Sequence, residues 1–362
     1  MTTFLSCKEK NEESKHNELK SKEAIALEKL MKDAAGKGIM FGHQDDMSYG
    51  LGWRAVAWES DVKKVTGNYP AVFGWDLGKI GNPYNLDSVS FDSMKVYIRR
   101  VHDMGGINTV SWHAFLPTDS TTPWTIKENV VAELLPGAKN HQALKNQLDL
   151  VADFFNSLVD KDGNKIPVFF RPWHEMDGDW FWWGTKHCTT EQYKALFRFT
   201  VEYLRNEKHL NNLLISYSTD CKFNNIEEYL RFYPGDDIVD LMGMDNYWEI
   251  QYGGDTLKTP IRKLEMVVLE AKKRGKLCAM TETGLVEGLK NDQWYTKHLN
   301  TVINANDTTR QISYVLVWRN FSVKHHYAPY PGAPEVPYFL EWIKQPNIWL
   351  LNNLQEFKKK QE

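Results

Sequence analysis

Short, almost wholly apolar runs recur along the chain, each bounded by turn residues. They fall at 38–42 (GIMFG), 70–76 (PAVFGWD), 106–112 (GINTVSW), 165–172 (KIPVFFRP), 212–218 (NLLISYS), 237–245 (DIVDLMGMD), 276–282 (KLCAMTE) and 313–318 (SYVLVW). Apolar runs without polar alternation predict strands buried on both faces. Helical segments are expected between them, over 53–66, 91–104, 140–159, 191–208, 226–231, 258–274, 292–304 and 335–344. An earlier helix is expected over 18–35, with Asn17 as its cap and Leu19, Ile25, Leu27, Leu30 and Met31 on its apolar side. Eight strands, each followed by a helix, is the arithmetic of an α/β fold, a single (β/α)8 TIM barrel. An open doubly wound sheet is the runner-up. It has less support, because no G-x-G-x-x-G follows the first strands and no Walker sequence occurs.

In such barrels the reactive residues gather at the carboxyl ends of the strands. Here all eight runs end in polar or aromatic residues: His43-Gln44-Asp45-Asp46, Trp75-Asp76, Trp112-His113, Trp173-His174-Glu175, Ser218-Thr219-Asp220, Asp245-Asn246-Tyr247-Trp248, Thr281-Glu282-Thr283 and Trp318-Arg319-Asn320. An active site is therefore expected at that face.

Composition sharpens this picture in two ways. Lys+Arg number 44 against 47 Asp+Glu, a formal net charge of −3, so a nucleic-acid or anionic-membrane partner has no electrostatic support. No apolar stretch reaches the ~18 residues of a membrane span. Aromatics make up 13% of the chain, with 14 Trp, 16 Tyr and 17 Phe. That abundance suits a cleft whose rings lie flat against sugar faces. Four cysteines, Cys7, Cys188, Cys221 and Cys278, are too few and too scattered for a disulfide framework or a CxxC metal site. Cys278 reads as a buried free thiol, and a Cys188–Cys221 bridge is left open.

Residues 1–17 read as a polar, unstructured leader or tether, and 18–362 as one catalytic domain. Phe4-Leu5-Ser6-Cys7 resembles the end of a bacterial lipoprotein signal, which would place the protein outside the cytoplasm, lipid-anchored through Cys7. An ordinary charged leader is the alternative. A monomer is expected.

Two glutamates carry the expected chemistry. Glu175 and Glu282 end runs four and seven, which face each other across a closed barrel, and their length lets them approach to about 5 Å, as in a retaining glycosidase. Glu175 lies among Trp173, Trp180, Phe181, Trp182 and Trp183, whose rings would desolvate it and keep it protonated as the acid/base. Glu282 would be held ionised by Arg171 and the Tyr247 hydroxyl and act as nucleophile. Asp76, His43, Trp112 and Asn246 are rim residues within reach of a substrate. Trp182 and Trp183 are adjacent, so at most one faces the cleft. Asp45-Asp46 and His325-His326 lack further ligands, and neither a metal nor any other cofactor is expected.

The set Arg171-Pro172-x-His174-Glu175-Met176 with Trp180, Met244-Asp245-Asn246-Tyr247, Thr281-Glu282-Thr283-Gly284 and Trp318-Arg319 resembles the glycoside hydrolase family 26 β-mannanases. Gly42-His43-Gln44 and Trp112-His113 look like that family too, so the resemblance runs from about residue 30 to 345. It implies retaining cleavage of β-1,4-mannosidic bonds in mannan, glucomannan or galactomannan chains or in manno-oligosaccharides, with mannobiose as one conceivable product. Glu175 would be the acid/base and Glu282 the nucleophile. His174 would contact the nucleophile or the sugar 2-hydroxyl, and Tyr247 would orient Glu282. Trp180 would stack on the leaving-group side, and Trp318 would lie under the sugar bearing the scissile bond. His113 would bond a hydroxyl of that sugar, and Arg319 would bind sugars further along the glycone side. The long segments 115–139 and 79–88 would decide between internal cutting and release from a chain end. The competing expectations are a β-1,3-xylanase or mixed-linkage β-glucanase on the same scaffold, and a carbohydrate-binding protein without catalysis.

Overall fold

The computed structural model describes residues 20–285 and 291–361; the leader 1–17, with Cys7 and Asn17, lies outside them. In chain order the strands are β1 (Ile39–Gln44), β2 (Tyr49–Gly50), β3 (Trp53–Arg54), β4 (Val72–Asp76), β5 (Ile107–Trp112), β6 (Val168–Pro172), β7 (Leu213–Thr219), β8 (Leu241–Asn246), β9 (Leu277–Thr283), β10 (Tyr314–Val317) and β11 (Ile348–Trp349). Eight of them pair side by side in parallel in the order β1-β4-β5-β6-β7-β8-β9-β10, and β10 returns to β1, which closes a TIM barrel. Every residue of these eight strands is buried, as their near-continuous apolar composition requires.

Alternation along the strands sorts their side chains into two cores. Met40, Val72, Phe169, Leu214, Leu241, Ala279 and Leu316 form one apolar cluster with Ala24, Leu27, Met31 and Ala34 of the helix Lys22–Ala34. That first helix thus packs against the barrel's inner cluster. The other parity packs outward, against the ring of helices. Small residues fill the crowded interior. A Cβ on Gly243 would lie 2.6 Å from the Thr281 side chain, so only glycine fits that layer. Each helix turns its apolar stripe inward. The helix Phe91–Asp103, for example, buries Phe91, Met94, Tyr97, Ile98 and Val101, at helical spacing.

The structure corrects the sequence reading in several places. The first helix is capped by Ser21, whose hydroxyl accepts from Ala24 N at 3.2 Å. Residues 53–66 are not one helix. Trp53–Arg54 pairs with Tyr49–Gly50 as a hairpin, and the helix is only Asp61–Thr66, capped by Ser60. Asp61 accounts for the break, because its carboxylate accepts from Trp53 Nε1 at 2.7 Å and folds the segment back on itself. The run 237–245 enters the sheet only at Leu241. A ninth strand, β11, pairs in parallel with the start of β1 and precedes a final helix Leu351–Lys359, and neither was expected. Cys188, Cys221 and Cys278 are free thiols. Among the described residues, no helix is long and apolar enough to cross a membrane.

Phe41 shows what the outer core contributes. Its ring meets those of Phe339, Trp342 and Tyr295 edge-on, at centroid separations of 5.2, 5.7 and 6.2 Å. Phe41→Ala is expected to cost about 3–5 kcal/mol in chemical denaturation, the usual range for an aromatic truncation in a packed core. A loss below about 1 kcal/mol would contradict this packing.

Candidate active site

The barrel's carboxyl face is built by what happens just past the strand ends. Beyond β6 the backbone turns sharply, with Trp173 at φ 53° and Glu175 at φ 52°. Such left-handed conformations cost non-glycine residues of order 1–3 kcal/mol each, and they persist only where the surroundings over-determine them. Trp173 is held in that way. Its Nε1 donates to Thr200 Oγ1 at 3.1 Å and its carbonyl accepts from Tyr193 OH at 2.7 Å. Its ring packs on Trp112, Trp182 and Trp183, with centroids 4.9, 5.3 and 5.5 Å away. Glu175 N then donates to Ser218 O at 3.0 Å, which ties the loop to the end of β7. At β8 the register slips between Met244 and Asp245, and this irregularity sets Asp245 beside Glu282 on β9.

The result is a cluster of three carboxyl groups around one guanidinium. One ligand-type oxygen from each of Glu175, Asp245 and Glu282 lies within 4.8 Å of the others. Arg171, on the inner face of β6, donates through Nη1 to Asp245 Oδ2 at 2.6 Å and to Ser218 Oγ at 3.1 Å. Its Nη2 pairs with Glu282 Oε1. The other oxygen of Glu282 accepts from Tyr247 OH at 2.9 Å. Thr281 Oγ1 donates to Asp245 Oδ1 at 2.5 Å. The three carboxylates are near enough to share a cation, but Arg171 already lies against two of them and supplies the counter-charge.

Glu175 meets a different environment. Its Oε2 accepts from the Trp180 indole N–H at 2.9 Å. Burial pushes its carboxyl well above the ordinary range, and the negative charges of Asp245 and Glu282 push the same way, against a smaller opposing pull from Arg171. His174 is held well below its usual value by burial and by the cation Arg171, so it is neutral near pH 7. Burial also works against charge on His113, but Asp76, 2.7 Å from Nδ1, together with the negative charges of Glu282 and Asp87, raises that imidazole on balance. One carboxyl group kept protonated faces another engaged by a guanidinium and a phenol, the pairing that general acid catalysis with a nucleophilic partner requires.

A cleft of about 440 Å³ opens over this centre. Of the site residues expected from sequence, Glu175, Glu282, Trp180, Tyr247, Trp318, Arg319 and His113 line it. His174 sits beneath, its ring edge-on to His113 at 4.7 Å. Trp112 and Asp76 do not reach the cleft. Trp112 is fully buried between Phe170 and Trp173, because at the end of β5 it points outward while His113 points in. Asp76 is fully buried too, and accepts from Ser111 Oγ at 2.7 Å and Gly78 N at 2.6 Å, so it acts on the cleft only through His113. Asn246 is buried and donates to Glu249, and His43 pairs with Asp46. Asp45 instead accepts from Tyr49, so Asp45 and Asp46 face separate partners. His326 pairs with Glu335, whereas His325 lines the cleft, lowered to about 4 by burial and Arg319. Trp182 and Trp183 are both in the core.

The cleft also gathers residues to which the sequence reading gave no individual substrate contact: Asp87, Asp220, Trp124, Phe181, Trp248 and Tyr327. Trp124 belongs to the long segment after β5 and Trp248 directly follows Tyr247, so their positions held a signal. Asp220 ends run five at the expected face, whereas Asp87 stood in no motif.

Comparison with known proteins gives a consistent picture. The family model of glycosyl hydrolase family 26 matches residues 17–327. The chain is similar to a mannan endo-1,4-beta-mannosidase of Bifidobacterium adolescentis, 32% identical over 316 residues, which is 83% of this chain and 31% of that protein. This chain therefore spans about a third of that relative's length. Among solved structures, a GH26 beta-mannanase from Bacteroides ovatus superposes with a TM-score of 0.87 at 42% identity, covering 92% of this chain and 96% of that one. A modular endo-beta-1,4-mannanase from Cellulomonas fimi gives 0.86 at 34% identity, covering 92% and 76%.

The electrostatic reading of Glu175 can be measured without substrate. Its carboxyl should titrate above the ordinary range in infrared difference spectra, and Glu282→Gln, which removes a neighbouring negative charge, should shift that titration downward. An unchanged or higher value in the variant would contradict the coupling.

Proposed function

Since this chain belongs to glycosyl hydrolase family 26, we propose that it is a retaining β-1,4-mannanase that cuts mannan-type polysaccharides and manno-oligosaccharides. Glu282 attacks the anomeric carbon of the sugar at the scissile bond, while Glu175 gives its proton to the departing glycosidic oxygen. The product of this first half is a glycosyl ester on Glu282. Glu175, now a carboxylate, takes a proton from water, and that water releases the sugar with its original configuration.

The approach of the two carboxyl groups carries this reading. Their oxygens come within 4.8 Å, and retaining enzymes space the groups about 5–5.5 Å apart, against about 6.5–9.5 Å where a water must fit between them. The surroundings support the split of roles. Arg171 and Tyr247 fix both oxygens of Glu282 and aim it at one point. The Trp180 indole orients Glu175 and places an aromatic face where the leaving sugar would stack. Trp318 lies 5.8 Å from His113, ring to ring, so a sugar above Trp318 has the imidazole in reach.

Three outcomes are expected. Glu282→Ala should lower kcat on mannan by several orders of magnitude with the melting temperature kept; near-full activity in that variant would remove the nucleophile from this scheme. Glu175→Ala should still be glycosylated by substrates with good leaving groups, which need no proton, and azide should restore turnover. Equal losses for good and poor leaving groups would contradict Glu175 as the acid. Because Glu175 must start protonated, and burial raises its pKa, activity should fall as pH climbs through that raised value, and Glu282→Gln cannot be used to test this limb. Incubation with mannan, glucomannan, β-glucan and xylan, with sizing of the products, separates mannanase from glucanase and xylanase, and release from none of them would favour a binding protein.

A further inference from the structure

Glu175 sits on a left-handed turn, and the Trp180 indole N–H donates to its Oε2 at 2.9 Å. Proton delivery therefore depends on where Trp180 stands. Two contacts place that ring. It lies directly on Gly178, where a Cβ would come within 2.3 Å of a ring carbon. Lys222 Nζ stands over it, 4.5 Å from the centroid. A cation there is held because the face of an indole carries the negative part of the ring's quadrupole. Lys222 belongs to another segment of the chain, the one that follows β7.

Asp177 joins the two segments. Its Oδ1 accepts from Asp220 N at 2.6 Å and its Oδ2 from Lys222 N at 3.2 Å. Both amides lie past the end of β7, outside the sheet, and backbone donors in a packed region need a partner. A carboxyl group has an oxygen for each, whereas an asparagine side chain has one acceptor oxygen. The bracket 220–222 is held from behind as well, since Lys263 Nζ, on the helix Lys258–Lys273, donates to Cys221 O at 2.6 Å. Asp177 thus couples the turn that carries Glu175 to a fixed bracket in the next loop. The bracket has a second influence on the acid. Asp220 lines the cleft, and after burial, Asp245 and Glu282 its negative charge adds to the upward push on the Glu175 carboxyl. Asp177 is not part of the cleft lining, so it acts only through these neighbours.

We propose that Asp177 is a positioning residue for acid catalysis: by binding the amides of Asp220 and Lys222 it locks the segment after β7 to the turn after β6, which keeps Lys222 on Trp180 and the Trp180 N–H on Glu175. The carboxyl group then points at the departing oxygen when the glycosidic bond breaks. This rests on the mannanase reading and extends it to a residue outside the cleft. Without the lock the indole and the acid drift together, and a misplacement of about 1 Å can cost about a hundredfold in a step that depends on position.

The test compares wild type, Asp177→Ala and Asp177→Asn on two kinds of substrate, with melting temperatures as the control for folding. A manno-oligosaccharide has a poor leaving group and needs the proton, whereas a dinitrophenyl β-mannobioside has a leaving group that needs none. The quantity compared is kcat/KM, which reports the first half of the reaction. For Asp177→Ala it should fall about 10- to 100-fold on the oligosaccharide, through kcat with KM within about twofold, and by less than about threefold on the aryl glycoside. Asp177→Asn keeps one acceptor and should lose about 3- to 10-fold on the oligosaccharide alone, and it carries the test if the alanine variant does not fold. Equal losses on the two substrates would mark a merely structural role and overturn the proposal. So would a loss confined to KM, or a folded variant within about twofold of wild type on both substrates. A wild-type protein that releases product from neither substrate would instead refute the mannanase reading, before any Asp177 variant is compared.

Discussion

Arg171 is the constraint on which the carboxyl face depends. Three carboxyl groups have oxygens within 4.8 Å of one another in a largely buried site. Two like charges at that distance repel by about 3–4 kcal/mol at an effective dielectric near 20, so the cluster cannot carry three uncompensated charges. A single guanidinium, itself buried, is shared by Asp245 and Glu282 and not by Glu175. That unequal sharing divides the roles. In the proposed reaction the carboxyl group left facing an indole and its negative neighbours, pushed well above its ordinary range, gives the proton, and the one paired with Arg171 attacks.

The fold is bent to serve this arrangement. Side chains on an inner barrel face alternate, so an arginine on β6 reaches carboxylates on β8 and β9 only if those strands present them at the same height. The register slip at Met244/Asp245 does so, and Gly243 just below leaves room for Thr281 to brace Asp245. On β6 the left-handed turns at Trp173 and Glu175 swing the glutamate over the mouth. The turn at Trp173 is held by a cage of buried tryptophans, Trp112, Trp182 and Trp183, which keeps these four indoles in the core and not in the cleft.

Much of this was legible in the sequence because parallel barrels write themselves plainly. Buried strands are apolar runs, and chemistry begins where each run stops. Glu175, Glu282, Arg171 and Tyr247 could be paired on that basis. What the pattern could not show is which way a side chain faces at a strand end, since a run buried on both faces carries no alternation. Trp112 and His113 were read together, yet they point to opposite sides of the barrel wall. Asp76 looked like a rim residue and is in fact the carboxylate beneath His113. The break in 53–66 depended on side-chain contacts of Asp61 with Trp53, Leu51 N and Asn320, which no helix propensity encodes. Asp87 was hidden in a loop without a motif and becomes visible only as part of the cleft wall.

The central claim is a double displacement between Glu175 and Glu282, and stereochemistry examines it most directly. Proton NMR can follow the reducing-end signal of the first product formed from a manno-oligosaccharide, before mutarotation mixes the anomers. A carboxyl pair this close should deliver the β-anomer first, with the α-anomer growing in only later. Initial release of the α-anomer would mean a single inverting attack by water, which this spacing leaves no room for.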